Sequence, residues 1–306
     1  MEIIKPGINI DLVGRMKMAF VASMVVVAIS VLSLILHGGP NLGIDFAGGT
    51  LVQIKFSQKT DANKIRDCLN SIGLENSIIQ RFGYDDNNEF LIKTEKSSSA
   101  LKGVSTKIQE AFNTSYGKED FEIRRVEVVG PKVGKDLREK GMLAMLYAVI
   151  GILIYVTWRF ELRYAVGAII ALLHDVIITV GVFSILGKEF TLPIIAALLT
   201  IIGYSLNDTI VVYDRIRENI KGIRKQSLRD IVNSSINQVL SRTVLTSATT
   251  LIVVLALFIF GGAVIHDFAF ALLVGVLVGT YSSIFIASPT VLYWESVSPS
   301  REKREK

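Results

Sequence analysis

Six apolar stretches, each long enough to cross a bilayer as a helix, restrict this chain to one broad architecture before any single residue is weighed. They cover residues 18–36, 142–158, 164–186, 191–213, 243–262 and 267–294. At about 1.5 Å per residue, about twenty residues span a hydrocarbon core of roughly 30 Å. Lipid offers the backbone no hydrogen bonds, so such segments must fold as helices. Hydrophobic residues make up 50% of the 306 and are gathered into these blocks. The chain therefore reads as a polytopic α-helical membrane protein with six transmembrane helices.

Lysine and arginine in the short flanks set the orientation. Lys5, Arg15 and Lys17 precede the first span, and Arg159 and Arg163 separate the second from the third. Arg215, Arg217, Lys221, Arg224, Lys225 and Arg229 separate the fourth from the fifth, and Arg301, Lys303, Arg304 and Lys306 close the chain. All four groups fall on one side, so both termini are expected in the cytoplasm of a multi-pass inner-membrane protein. The formal charge of +5 is then a topology signal, and no nucleic-acid partner is expected. The expected division is residues 1–40 as N-terminus and first helix, 41–137 as an external domain, 138–294 as helices two to six with a cytoplasmic loop at 214–240, and 295–306 as a cytoplasmic tail. The first span ends in HGGPN without a small-x-small cleavage site, which fits an uncleaved anchor.

The polar segment between the first two spans has its own rhythm. Residues 50–56 alternate as a strand, 61–72 carry apolar residues at helical spacing, and 77–82 and 89–94 read as strands around a turn. A helix with Leu101, Val104, Ile108 and Phe112 on one face is expected over 99–112, and a last strand over 121–129. The order β-α-β-β-α-β is that of a ferredoxin-like α+β domain, an architecture that does not specify function. Glycine-rich joints bracket it: GIDFAGGT, with Gly43, Asp45, Gly48 and Gly49, and VGPKVGKDL, with Gly130, Pro131 and Gly134. These residues suit either a hinge pair or tight turns at the membrane surface, with Asp45 then a solvated turn residue. Cys68 is the only cysteine, so no intramolecular disulfide forms. The chain has no GxxxxGK[ST] and no HExxH, which argues against nucleotide hydrolysis and against a zinc site.

Ionisable residues inside the apolar blocks are the candidate functional groups. An aspartate at the centre of a membrane helix costs at least about 2.5 kcal/mol, so it turns from lipid and finds partners. Asp208 follows Asn207 in the fourth span, where Thr200, Gly203 and Tyr204 complete a polar face at three- and four-residue spacing. His174 and Asp175 lie in the third span, and Arg242, Thr246, Thr249 and Thr250 form a polar stripe in the fifth. Spans four and five meet on the cytoplasmic side, which would bring Asp208 and Arg242 to similar depth. These groups could relay protons, bind an ion, or only bond neighbouring helices together. The loop at 214–240 interleaves isoleucine and charge as an amphipathic helix lying on the membrane would. In the sixth span Gly275 and Gly279 permit close helix contact, within the chain or with another subunit.

The strings GIDFAGGT, VGPKVGKDL, GYSLNDTIVVYDRIRE and SRTVLTSATT, with His174 and Asp175 between the second and third, resemble in sequence and order the SecF family of bacterial protein-export membrane proteins. That family lies within the resistance-nodulation-division superfamily, and the likeness covers nearly the whole chain. The resemblance implies a non-enzymatic accessory subunit of the Sec translocase that works with a separate SecD chain beside the SecYEG channel. It would use a proton or sodium gradient, without a cofactor, to promote preprotein translocation and release on the outer side. YajC and YidC would be further neighbours in the lipid bilayer. The family's intramembrane acidic site falls on Asp208 and its basic partner on Arg242, with Asn207, Thr246, Asp175 and His174 in the relay. Two other readings use the same buried groups: an ion-coupled efflux subunit for small molecules, and an intramembrane aspartyl protease built on Asp175 and Asp208.

Overall fold

The structure is a computed structural model that describes residues 9–83, 88–94, 103–117, 120–222 and 226–297. In chain order its elements are α1 (Leu12–Leu36), α2 (Ile44–Ala47), β1 (Gly49–Phe56), α3 (Ala62–Ser71), β2 (Ile78–Arg81), β3 (Glu89–Thr94), α4 (Val104–Tyr116) and β4 (Phe121–Val129). There follow α5 (Pro131–Arg159), α6 (Leu162–Ile185), α7 (Leu192–Gly222), α8 (Leu228–Phe260), α9 (Gly262–Ser282), a π-helical turn (Ser283–Ala287) and α10 (Ser288–Val297). The chain divides into two units, residues 1–41, 144–188 and 193–306 in one and residues 42–143 and 189–192 in the other.

The first unit is a helix bundle. Among the described residues six helices are long and apolar enough to cross a membrane: α1, α5, α6, α7, α8 and the run Val264–Trp294 formed by α9, the π turn and α10. Inside the chain, 50–56% of the most apolar stretch of α6, α7 and the last run is buried, against 11–17% for α1, α5 and α8. The former therefore make the centre, and the latter present apolar side chains outward. Small residues allow the central helices to approach closely. A Cβ on Gly167 would lie 2.4 Å from the Tyr213 hydroxyl, and one on Gly275 would lie 2.3 Å from the Ile201 side chain. The GxxxG pair of the sixth span thus serves a contact within the chain, against α7. Tyr213 is fully buried, stands edge-on to Tyr164 at 5.0 Å between ring centroids, and donates to the Ala287 carbonyl of the π turn at 3.1 Å.

Two asparagines one turn apart on α8 hold the chain that leads into α1. Asn237 accepts from the Ile10 amide and donates to its carbonyl, both at 2.9 Å, and Asn233 accepts from the Leu12 and Val13 amides at 2.9 and 3.1 Å. Of the stretch 214–240, expected as a loop with a membrane-lying amphipathic helix, residues 214–222 form the end of α7 and 228–240 the start of α8. Its apolar residues Ile216, Ile231, Val232, Ile236 and Leu240 belong to the bundle core. Interleaved charge marks a half-buried helix face equally well in both settings, so sequence periodicity does not separate them. Ser227 caps α8 as its position before Asp230 suggests, accepting from the Asp230 amide at 3.2 Å.

The second unit is the β-α-β-β-α-β domain. Its antiparallel sheet has the strand order β2-β3-β1-β4, the ferredoxin-like arrangement. Val52, Ile54 and Phe56 of β1 and Phe90 and Ile92 of β3 line one face, which α3 covers with Ile65, Cys68 and Leu69 and α4 covers with Val104, Ile108 and Phe112. α4 runs four residues further than the 112 expected from periodicity, ending before Gly117 at φ 95°, a backbone conformation that stops a helix. Leu101, placed on that helix by its spacing, lies outside the described residues.

Candidate functional site

Each of the two aspartates inside the bundle has its own set of hydroxyl partners. Asp175 on α6 is fully buried, with its Oδ2 accepting from Ser205 of α7 at 2.6 Å and from Ser282 of α9 at 2.8 Å. Its Oδ1 lies 2.9 Å from Nδ1 of His174, which is itself buried. A hydrogen on Nδ1 therefore points at the carboxylate, and Nε2 has no partner among the described residues. This carboxylate is anchored, since three donors from three helices converge on it.

Asp208 stands one turn beyond Ser205 on the same face of α7 and is also buried. Its described partner is Ser247 of α8, whose hydroxyl reaches Oδ2 at 3.4 Å, long for an O–H···O bond. Ser247 is in turn 2.7 Å from the Thr280 hydroxyl of α9 and accepts from Tyr204 at 3.2 Å. Three successive residues of α9 thus serve different neighbours. Thr280 meets the Asp208 group, Tyr281 donates to the Ala19 carbonyl of α1 at 2.7 Å, and Ser282 meets Asp175.

Arg242, the partner expected for Asp208, lies close enough for its charge to act on that carboxylate but makes no direct contact with it. Among the described residues neither takes part in an ion pair with the other, and Arg242 and Thr246 are exposed on α8 while Ser247 is buried. The reason is angular: five residues at about 100° each turn Arg242 well away from the face Ser247 presents to Asp208. Thr246 bonds back to the Arg242 carbonyl at 2.9 Å, and Asn207, Gly203 and Thr200 are likewise exposed. The polar face read on the fourth span is therefore divided, with Asp208 turned inward and Asn207 turned out of the chain. Ser205, Ser247, Thr280 and Ser282 were not singled out by sequence reasoning. Ser205 was accessible to it, three residues before Asp208, but serines at such spacing are common and signal nothing without a partner in view.

The two joints lie against each other. A Cβ on Gly48, at φ 76°, would lie 2.9 Å from Pro131 Cα, and one on Gly134 would lie 3.0 Å from the Phe46 carbonyl. Gly49 also has a positive φ, 135°, and Pro131 opens α5, where its missing N–H costs nothing. Gly130 meets nothing a side chain would strike. Asp45 is half-buried and bonded, not a solvated turn residue: its Oδ2 accepts from the Leu192 amide at 2.8 Å.

The bundle, its buried carboxylates and the ferredoxin-like domain define a multi-pass membrane protein that carries ionisable groups at helix contacts. Comparison with known proteins is more specific. Residues 108–297 match the family described as protein export membrane protein SecD/SecF, C-terminal, and residues 33–60 match the SecD/SecF GG motif. Protein translocase subunit SecF of Magnetococcus marinus is 51% identical over 95% of this chain and 94% of its own length. The subunit of the same name from Vibrio alginolyticus is 47% identical over 95% and 91%. The crystal structure of SecDF from Thermus thermophilus, described as a translocon-associated membrane protein, matches with a TM-score of 0.83 and 38% identity over 95% of this chain. This chain belongs to the SecF family. It spans 39% of that SecDF chain.

Proposed function

We propose that the chain is a non-enzymatic accessory subunit of the Sec translocase that, together with SecD, uses the transmembrane ion gradient to promote preprotein translocation and release on the outer side. Both termini lie in the cytoplasm, the ferredoxin-like domain faces outward from the inner membrane, and the SecYEG channel, with YajC and YidC, is close by. The observation that carries this reading is the contrast between the two buried carboxylates. Asp175 is saturated by short bonds and holds α6, α7 and α9 together, whereas Asp208 has one long hydroxyl contact and is free to exchange a proton or a sodium ion. Arg242, Thr246 and Asn207 line the outward face next to it. A bare arginine in lipid costs several kcal/mol, so this face is covered by protein, which the SecD half supplies. Each charge crossing the membrane contributes about 2.3 kcal/mol per 100 mV, so a few ions per cycle shift a conformational equilibrium substantially. A protease would need Asp175 and Asp208 to share a substrate, whereas here they engage different hydroxyls.

The test is Asp208→Asn, which keeps the shape and removes the titratable group. Preprotein translocation into vesicles containing the full complex should lose its stimulation by an imposed gradient at unchanged expression and assembly. Wild-type stimulation would make Asp208 a packing residue.

A further inference from the structure

Residues 42–49 touch the segment 189–192 along its whole length. Leu42 bridges to Phe190 in parallel strand pairing, the Gly43 amide donates to the Phe190 carbonyl at 2.9 Å, and the Phe46 and Phe190 rings lie 6.1 Å apart. A Cβ on Gly43 would come within 2.7 Å of the Thr191 methyl, so only glycine permits this approach. Buried Lys93 of β3 donates to the Leu42 carbonyl at 3.1 Å and pairs with Glu189 at 3.5 Å, which ties the sheet into the same contact.

Segment 189–192 ends on the first residue of α7. The first-turn amides of a helix have no intrahelical partner, and Pro193 removes one of them. The Leu192 amide is taken by Asp45 from α2, at 2.8 Å. This is an N-cap supplied in trans, and its negative charge also suits the positive end of the helix dipole. α7 then continues unbroken to Asp208, sixteen residues on (208 − 192), about 24 Å along the axis. The motif that carries the cap is welded to the start of α5 through Gly48 and Gly134 and leads directly into β1.

We propose that Asp45 is the positioning residue that ties the external domain to α7, so that a shift of α7 set by ion exchange is transmitted to the domain through this cap. The inference rests on the gradient-coupled reading above. A rigid helix biased at one end and held at the other is a physical route for coupling, and the Asp45 cap is the side-chain bond that holds its first residue.

The experiment measures preprotein translocation by vesicles holding the full complex, with and without an imposed gradient, for wild type, Asp45→Ala, Asp45→Asn and Asp208→Asn. Asp45→Ala should reduce the gradient-stimulated component about fivefold, from the loss of one cap, and leave the gradient-independent component and assembly unchanged. Asp45→Asn, which retains a cap oxygen, should restore stimulation. Wild-type behaviour of Asp45→Ala, an equal fall in both components, or failure of asparagine to rescue would each overturn the proposal. Loss in Asp208→Asn with retention in Asp45→Ala would refute the cap alone. The reverse pattern would support the cap and refute Asp208 as the ion site.

Discussion

Replacing Gly275 with alanine tests whether the contact between α7 and α9 is as close as the structure places it. The added methyl would lie 2.3 Å from both Cγ1 and Cδ1 of Ile201 and 2.8 Å from its Cγ2. Ile201 is 1% exposed, so its side chain has little open space into which to turn away. Overpacking of this kind costs about 1–3 kcal/mol, against which alanine regains up to about 1 kcal/mol of helix propensity. Contacts as short as 2.3 Å put the cost near the upper end of that range, for a net loss of about 2 kcal/mol. Trimming the obstacle should relieve it, so in a double-mutant cycle with Ile201→Ala the two changes should couple favourably by about 1–3 kcal/mol. The measurement is reversible unfolding of the purified chain in detergent for wild type, both single variants and the double variant. A Gly275→Ala protein as stable as wild type, or additive behaviour in the cycle, would refute the packing argument and with it the placement of Thr280 and Ser282 beside the two carboxylates.

Gly203 lies inside α7 and meets nothing within 4 Å, so Gly203→Leu should not destabilise the isolated chain and should gain up to about 1 kcal/mol of helix propensity. It should, however, sharply reduce co-purification with SecD, and retained co-purification would show that this face is not the covered one. In the ferredoxin-like domain Phe112 is fully buried with ring centroids 5.7 Å from those of Phe56, Tyr116 and Phe121. Phe112→Ala should lower the opening free energy of that domain's amides by about 3–5 kcal/mol in hydrogen exchange on the full chain, with protection in α6 and α7 unchanged. Unaltered exchange of β1 and β3 would contradict the assigned core.

Most of the architecture was legible in the amino-acid sequence because two solvents act on this chain, and each imposes a pattern. Lipid demands long apolar helices, so all six spans could be read directly. Water demands one buried face per strand and helix, so Val52, Ile54 and Phe56 alternated and Ile108 and Phe112 fell one turn apart. Asp208, His174 and Asp175 could be picked out for a simpler reason: ionisable groups are costly in such surroundings wherever they point.

Direction and partnership were decided only by the tertiary structure. Whether Arg242 meets Asp208 depends on the rotation of α8 about its axis, and that rotation is set by Ser247, Ile236 and Leu240 packing inward, not by the spacing of the polar stripe. The long helices α7 and α8 replace the expected surface helix because their mixed faces found a core to enter. Asp45 looked like a turn residue because its helix end lies 147 positions away along the chain. Local pattern records what a side chain must avoid; a partner so distant in sequence is brought to it only by the closure of the fold.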